Sequence, residues 1–337
     1  MAIKHILSPL QVGNLQLKNR LIFPPMASAK SLNDGLVGEE ILEYYDKITR
    51  GGYISLVIVE HSYITKQGIA RKGQLSIADD STTKGLKRIA DLIHINGSKA
   101  VVQINHAGSV ASTEFTGMEL VGPSPITNPF RNENPLPREL TLSEIKDIII
   151  GFRDAAVRTK EAGFDGVEIH SAHGYLLNQF YSPLTNKRKD EYGNDVYGRI
   201  KLHLEVIRAV RDAVGPTFPI LLRLGACDYI EGGATIADSI IAAKEFEKAG
   251  VDILDISGGL CGYIIPGDNN EDEGYFGPVT KAIKEAISIP VILTGGIKSG
   301  NAADTLLSEG KADLIGVGRA ILKDLKWAEN VLSQYNS

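Results

Sequence analysis

The sequence predicts an α/β fold, a closed (β/α)8 barrel with a short N-terminal hairpin cap and long strand-to-helix loops. Two observations predict it. Apolar runs of strand length alternate with segments of helical period, which implies parallel pairing through crossover helices. There are eight such units, which implies a closed barrel rather than an open sheet. A length of 337 residues with 43% apolar content fits one large core, so residues 1–337 are read as a single domain.

Taken in order, Leu10 to Leu17 reads as a hairpin around Gly13-Asn14 that caps the barrel base. Arg20 to Phe23 is the first core strand, Glu39 to Arg50 is helical, and Ile54 to Val59 is an apolar strand running into Glu60-His61. Thr83 to Ile95 is a helix stopped by Asn96-Gly97, and Ala100 to Ile104 is the third strand. His106 to Leu140 has no clean period and holds five prolines, so it is a long excursion of the kind that forms lids and binding loops. Thr141 and Glu144 form a capping-box pattern that opens a helix to Ala162. Gly166 to Ile169 is the fourth strand, and helix 199–213 leads to strand Ile220 to Leu224. Thr235 opens helix 236–249, followed by strand Ile253 to Ser257. Helix Val279 to Ala286, strand Val291 to Thr294, helix Ala302 to Ser308, strand Leu314 to Val317 and a final helical region complete the count.

The net charge of −5 and pI near 5.9 give no electrostatic footprint for nucleic acid or an anionic membrane. No apolar run reaches spanning length, and Met1-Ala2-Ile3-Lys4-His5 lacks a signal-peptide core, so a cytoplasmic protein is expected. Cys227 and Cys261 form no CxxC and are read as reduced small core residues. Two cysteines cannot hold a four-cysteine iron–sulfur cluster within this chain alone. The run Lys187-Arg188-Lys189, offset by Asp190-Glu191, reads as a solvated loop, and Asp268 to Glu273 as a solvent-facing turn rather than a calcium loop.

The chemistry concentrates at strand carboxyl ends, which face the crevice in parallel α/β proteins. His170, His173 and Tyr175 fall at the end of the fourth strand and in the turn after it. Two imidazoles can hold a carbonyl oxygen while a phenol gives up a proton, as reduction of an activated double bond requires. A histidine at a strand end is more often a hydrogen-bonded structural residue, and a metal reading lacks a third and fourth ligand at suitable spacing. The second signal is a pair of glycine turns, Thr294-Gly295-Gly296 and Gly316-Val317-Gly318-Arg319, after the seventh and eighth strands. Glycines let backbone amides approach a phosphate, and Arg319 adds a charge-assisted bond. That phosphate could belong to a sugar phosphate, a nucleotide or a flavin. Gln103 and Arg223, near the ends of the third and fifth strands, suit the pyrimidine edge and N1 region of a flavin. Singly, Gln103 reads equally as a satisfied interior amide and Arg223 as an ion pair with Asp228 or Glu168.

Along almost its whole length the sequence resembles the NADH:flavin oxidoreductase, or old yellow enzyme, family. The resemblance is carried by Asn19-Arg20 with Pro25-Met26, by Gln103-Ile104-Asn105-His106-Ala107-Gly108, by Glu168 to Tyr175 with Ser182 to Arg188, and by the two glycine turns. It implies a barrel holding FMN noncovalently, reduced by NADH or NADPH in the same pocket, with an α,β-unsaturated carbonyl compound as small-molecule substrate. His170 and His173 would bind the carbonyl oxygen and Tyr175 would protonate Cα. The implied FMN contacts are Pro25, Met26, Ala27, Gln103, Arg223, Gly295, Gly296, Gly318 and Arg319. Ala27 departs from a Cys or Thr carried by many relatives, which bears on flavin potential, and residues 193–199 depart in the loop after the tyrosine. His61 stands where a small residue is usual and is read as surface-facing, with a gate as the alternative. Other readings stay open: an amine dehydrogenase or dihydrouridine synthase type of FMN barrel, or a non-catalytic flavin-binding protein. A homo-oligomer is likewise left open.

Overall fold

The computed structural model describes residues 5–131 and 133–336, so Met1 to Lys4, read above as lacking a signal-peptide core, lie outside the described residues. Eight parallel strands form a closed barrel in chain order: β1 Leu21–Phe23, β2 Leu56–Tyr63, β3 Lys99–Asn105, β4 Gly166–Ser171, β5 Ile220–Gly225, β6 Ile253–Ser257, β7 Val291–Thr294 and β8 Leu314–Gly316. Each strand pairs with its sequence neighbours, and β8 closes on β1 through the register Ile315 to Leu21 and Gly316 to Ile22. Both strand faces are covered, which is why the runs are continuously apolar rather than alternating.

The two faces bury different layers. Leu15 and Leu17, on the antiparallel ribbon of Leu10–Val12 with Leu15–Leu17, plug the bottom of the barrel against Ile22, Leu56, Ile58, Val101, Leu221, Ile253, Ile292 and Leu314. The outward faces pack against the helical ring: α1 Glu39–Thr49, α2 Thr83–Ile95, α3 Leu142–Glu161, α4 Lys201–Val214, α5 Ile236–Ala249, α6 Gly277–Lys284, α7 Gly300–Ser308 and α8 Arg319–Lys323. The capping box at α3 is formed, with Thr141 N donating to Glu144 Oε2 at 2.8 Å and Glu144 N to Thr141 Oγ1 at 3.2 Å. Thr235 and Asp238 form a second box at α5. No helix among the described residues is long and apolar enough to cross a membrane.

Three local expectations are corrected. The excursion 106–140 contains a two-stranded parallel ribbon, Val121–Gly122 with Arg138–Glu139. Arg188 is buried rather than solvated: its guanidinium donates to Leu140 O at 2.7 Å, Pro123 O at 3.2 Å and Asp190 Oδ2 at 2.6 Å, so it fastens the carboxyl ends of both ribbon strands to the loop after β4. A charged run hides such a residue because composition does not say which member finds carbonyls to satisfy. Cys227 and Cys261 are free but half-buried, outside the core. The 268–273 turn is largely exposed as expected, although Glu273 accepts from Ser299 N at 2.7 Å.

Arg188→Met should strand the carbonyls of Leu140 and Pro123 and leave Asp190 without its cation, costing about 3 kcal/mol of stability. Chemical unfolding with an unchanged midpoint would show that the excursion is not anchored there.

Candidate active site

β4 delivers His170 to the barrel mouth, and the turn after it aims the next two rings. His173 and Gly174 both adopt left-handed backbone, at φ 60° and 72°, which reverses the chain so that Tyr175 starts the helix Leu176–Tyr181. A β-carbon at Gly174 would also lie 2.3 Å from Asn128 Nδ2, so glycine is required there for space as well as conformation. His173 N donates to Gly258 O at 3.3 Å and its Nε2 lies 2.8 Å from Ser257 Oγ, tying the turn to β6. The ring of His170 is 5.1 Å from that of His173 and 5.0 Å from that of Tyr175.

His61 joins this cluster, against the expectation of a surface-facing imidazole. β2 continues to Tyr63, with a register shift between Val59 and Ser62 against β3. Such an irregularity re-aims a side chain. Here it buries His61, whose ring lies 5.3 Å from Tyr175 while Nδ1 meets Gln74 Nε2 at 2.8 Å.

Burial sets the protonation of the cluster. Desolvation holds His170 and His173 well below the ordinary imidazole range, reinforced by the Arg223 charge, and pushes His61 down to about 3. All three are neutral at neutral pH. The Tyr175 phenol is pushed up by burial and keeps its proton. His170 Nδ1 has no partner among the described residues. The arrangement can therefore offer uncharged N–H donors and one protonated hydroxyl to a polar group.

A cavity of about 1080 Å³ runs from this cluster to the ends of β7 and β8. That exceeds the space one small molecule needs. It is lined by every site residue predicted above: His170, His173, Tyr175, Pro25, Met26, Ala27, Gln103, Arg223, Gly295, Gly296, Gly318 and Arg319. At one end the glycines leave no room for side chains. A β-carbon at Gly296 would sit 2.8 Å from the Tyr275 ring, and one at Gly318 2.7 Å from Met26 Sδ. Arg319, exposed at the mouth, donates to Tyr275 Oη at 3.3 Å.

The cavity floor is polar. Gln103 donates to Glu168 Oε1 at 2.7 Å, and Arg223 Nε lies 3.3 Å from Asp255 Oδ2, an ion pair whose angles leave both atoms short of a true hydrogen bond. Arg223 thus takes Asp255 as its close partner. Asp228 instead accepts from Ser182 Oγ, Ala234 N and Leu260 N at 2.6, 2.8 and 2.7 Å. Burial pushes Asp255 up to about 6 and Glu168 well above the carboxylate range. Buried polar atoms without partners in an open cavity mark positions where a polar ligand completes the bonding. Together with the bare glycine edges they fit a planar, polar-edged group bearing a phosphate.

Several lining residues escaped the sequence reading: Ser257, Tyr275, Arg71 and Arg131. Ser257 closes a predicted strand, so its position at a strand mouth was available as a signal. Tyr275 and the two arginines lie in irregular segments that carry no period.

The model of the NADH:flavin oxidoreductase / NADH oxidase family matches residues 5–337. The chain is 38% identical over 327 residues to an NADH oxidase of Thermoanaerobacter brockii, covering 96% of the chain and 50% of that protein. It is 38% identical over 340 residues to an NADPH dehydrogenase of Bacillus licheniformis, covering 100% and 96% respectively. The chain thus spans about half the length of the first relative and nearly all of the second. A solved structure of the old yellow enzyme homologue from Zymomonas mobilis superposes with a TM-score of 0.84 at 26% identity, covering 98% of this chain and 92% of that one.

Because burial keeps the imidazoles neutral, the ring resonances of His61, His170 and His173 should not titrate through the ordinary value of 6.5. NMR detection of any of them protonating there would mean a far wetter cluster than this geometry describes.

Proposed function

The chain belongs to the NADH:flavin oxidoreductase / NADH oxidase family, and from that premise we propose that it oxidises NADH or NADPH and reduces the activated C=C bond of an α,β-unsaturated carbonyl compound. The family's cofactor is FMN. When bound, FMN supplies the two-electron exchange between nicotinamide and alkene. The observation that carries the reading is the cluster of a buried His170, a half-buried His173 and a buried, protonated Tyr175, with the last two rings each about 5 Å from the first, in the same cavity as the glycine edges.

The chain's own residues divide into two groups. Arg319 and the backbone of Gly295, Gly296 and Gly318 would hold the phosphate of FMN, with Pro25, Met26 and Ala27 against the ring system and Gln103 and Arg223 at its polar edge. Ala27 brings no side-chain donor, so tuning of the potential falls to the backbone and to Arg223. His170 and His173 each have an N–H available for a carbonyl oxygen. Being neutral, they stabilise charge that develops on that oxygen without binding an anionic ground state as strongly as imidazolium ions would. The Tyr175 hydroxyl, held protonated by burial, is the proton source for Cα.

Two variants separate these roles. Arg319→Ala removes a charge-assisted phosphate contact at an exposed position and should weaken FMN binding about fivefold. Unchanged affinity would remove Arg319 from the phosphate site. Tyr175→Phe keeps the ring and its packing, so it tests the hydroxyl alone. Flavin bleaching by NADPH should stay near normal, while recovery of absorbance on adding 2-cyclohexenone should slow by ~10²- to 10⁴-fold, the usual cost of losing a positioned general acid. A variant slow in both steps would make Tyr175 structural, and one slow in neither would move the proton source elsewhere.

A further inference from the structure

Among the described residues, six cationic side chains and a single carboxylate, Asp324, line the cavity of a chain whose net charge is −5. Four of the six are accounted for by position. Arg223 lies on the floor with Asp255, while Lys298, Arg319 and Lys323 gather after β7 and β8 beside the glycine turns. Arg71 and Arg131 come from other segments, the connection after β2 and the long excursion after β3. Both line the same cavity as His61 and Tyr175 and exert their charge on those two rings. Neither guanidinium has an ion pair or hydrogen bond among the described residues, and Arg71 feels Glu60 only at longer range.

Their backbones are held. Ala70 N donates to Gln74 Oε1 at 2.7 Å, the same amide whose nitrogen meets His61 Nδ1, and Ala70 packs on the apolar cluster that includes Tyr175. Arg131 N donates to Asn128 O at 2.8 Å, and Asn128 Nδ2 reaches Leu260 O at 3.3 Å while packing on the Gly174 turn. Two cations unpaired among the described residues are thus carried on backbone held against the Tyr175 cluster and the Gly174 turn. Like charges gathered there raise one another's electrostatic energy, and an anion between them lowers it.

We infer that Arg71 and Arg131 form an anion subsite beside Tyr175 that selects acidic unsaturated carbonyl compounds by binding their carboxylate. This rests on the proposed ene-reduction, and the competing source of negative charge is the phosphate of the pyridine nucleotide. The selection is electrostatic: the carbonyl goes to neutral donors and the carboxylate to cations, so the two ends of one substrate are told apart by charge.

Oxidised FMN-loaded protein titrated with 4-oxopentanoate and with its methyl ester, followed by flavin absorbance, tests the subsite without turnover. The acid should bind about tenfold tighter than the ester, with a preference that shrinks as ionic strength rises. The Arg71→Gln/Arg131→Gln double variant should lose most of that preference. The reduced protein mixed with 4-oxopent-2-enoate and its methyl ester should show the same ratio in the recovery of flavin absorbance. Equal binding of acid and ester, or a preference retained in the double variant, overturns the subsite. A double variant that loses NADPH affinity while keeping its acid preference assigns the arginines to the nucleotide and overturns it too. If neither unsaturated compound restores absorbance while the acid preference persists and depends on the arginines, the subsite stands and the ene-reduction falls.

Discussion

The mouth of this barrel depends on one buried carboxylate. Asp228, in the loop after β5, accepts from Ser182 beyond β4, from Ala234 in its own loop and from Leu260 beyond β6. Three long loops would otherwise each carry their own conformational entropy, and a single charged acceptor with three short bonds couples them. The packing around it is close: a β-carbon at Gly259 would lie 2.2 Å from Asp228 Oδ1 and one at Gly233 2.6 Å from its Cβ. Gly258 and Ser257, which fix His173, precede this junction directly, so the orientation of a catalytic candidate is set by a residue outside the cluster it belongs to.

Below that rim the barrel stores charge where it is costly. Arg223 lines the cavity floor while Asp255 and Glu168 are buried behind it and Gln103, and desolvation drives both carboxyls upward while Arg223 opposes it. A sheet closed on itself leaves little room for these groups to relax, so their partners are each other and whatever fills the cavity. The same desolvation acts in the other direction on the imidazoles and keeps the phenol protonated. One physical cause, removal from water, therefore prepares both the polar floor and the neutral donor cluster. Arg71 and Arg131 stand apart from this pattern, because Arg71 is exposed and Arg131 only half-buried.

The long excursion after β3 is where structure and function meet. It supplies Arg131 to the cavity and Asn128 to the Gly174 turn, and Arg188 holds the carboxyl ends of both its ribbon strands to the loop after β4. A segment without regular period is thus fastened by carbonyls that accept from one buried guanidinium. That makes its stability a property of a residue more than forty positions away in sequence.

The sequence by itself determined the barrel and most of the cavity. Strand and helix periods are local, eight alternating units leave few topologies, and parallel closure sends every strand end to one rim, so residues read at strand ends come together. His170, Gln103, Arg223 and the glycine turns needed nothing more than that rule. Only the tertiary structure decided what depended on irregular backbone or on distant partners. For His61 the sequence leaves a surface-facing imidazole and a gate as alternatives, since residue order says nothing about a register shift, and the shift between Val59 and Ser62 turns it inward. Arg188 and Arg71 each sit in short basic runs of sequence, yet one is buried among carbonyls and the other lines the cavity unpaired. Charge is legible in sequence, whereas the partner that satisfies a charge is fixed by contacts between segments far apart in the chain.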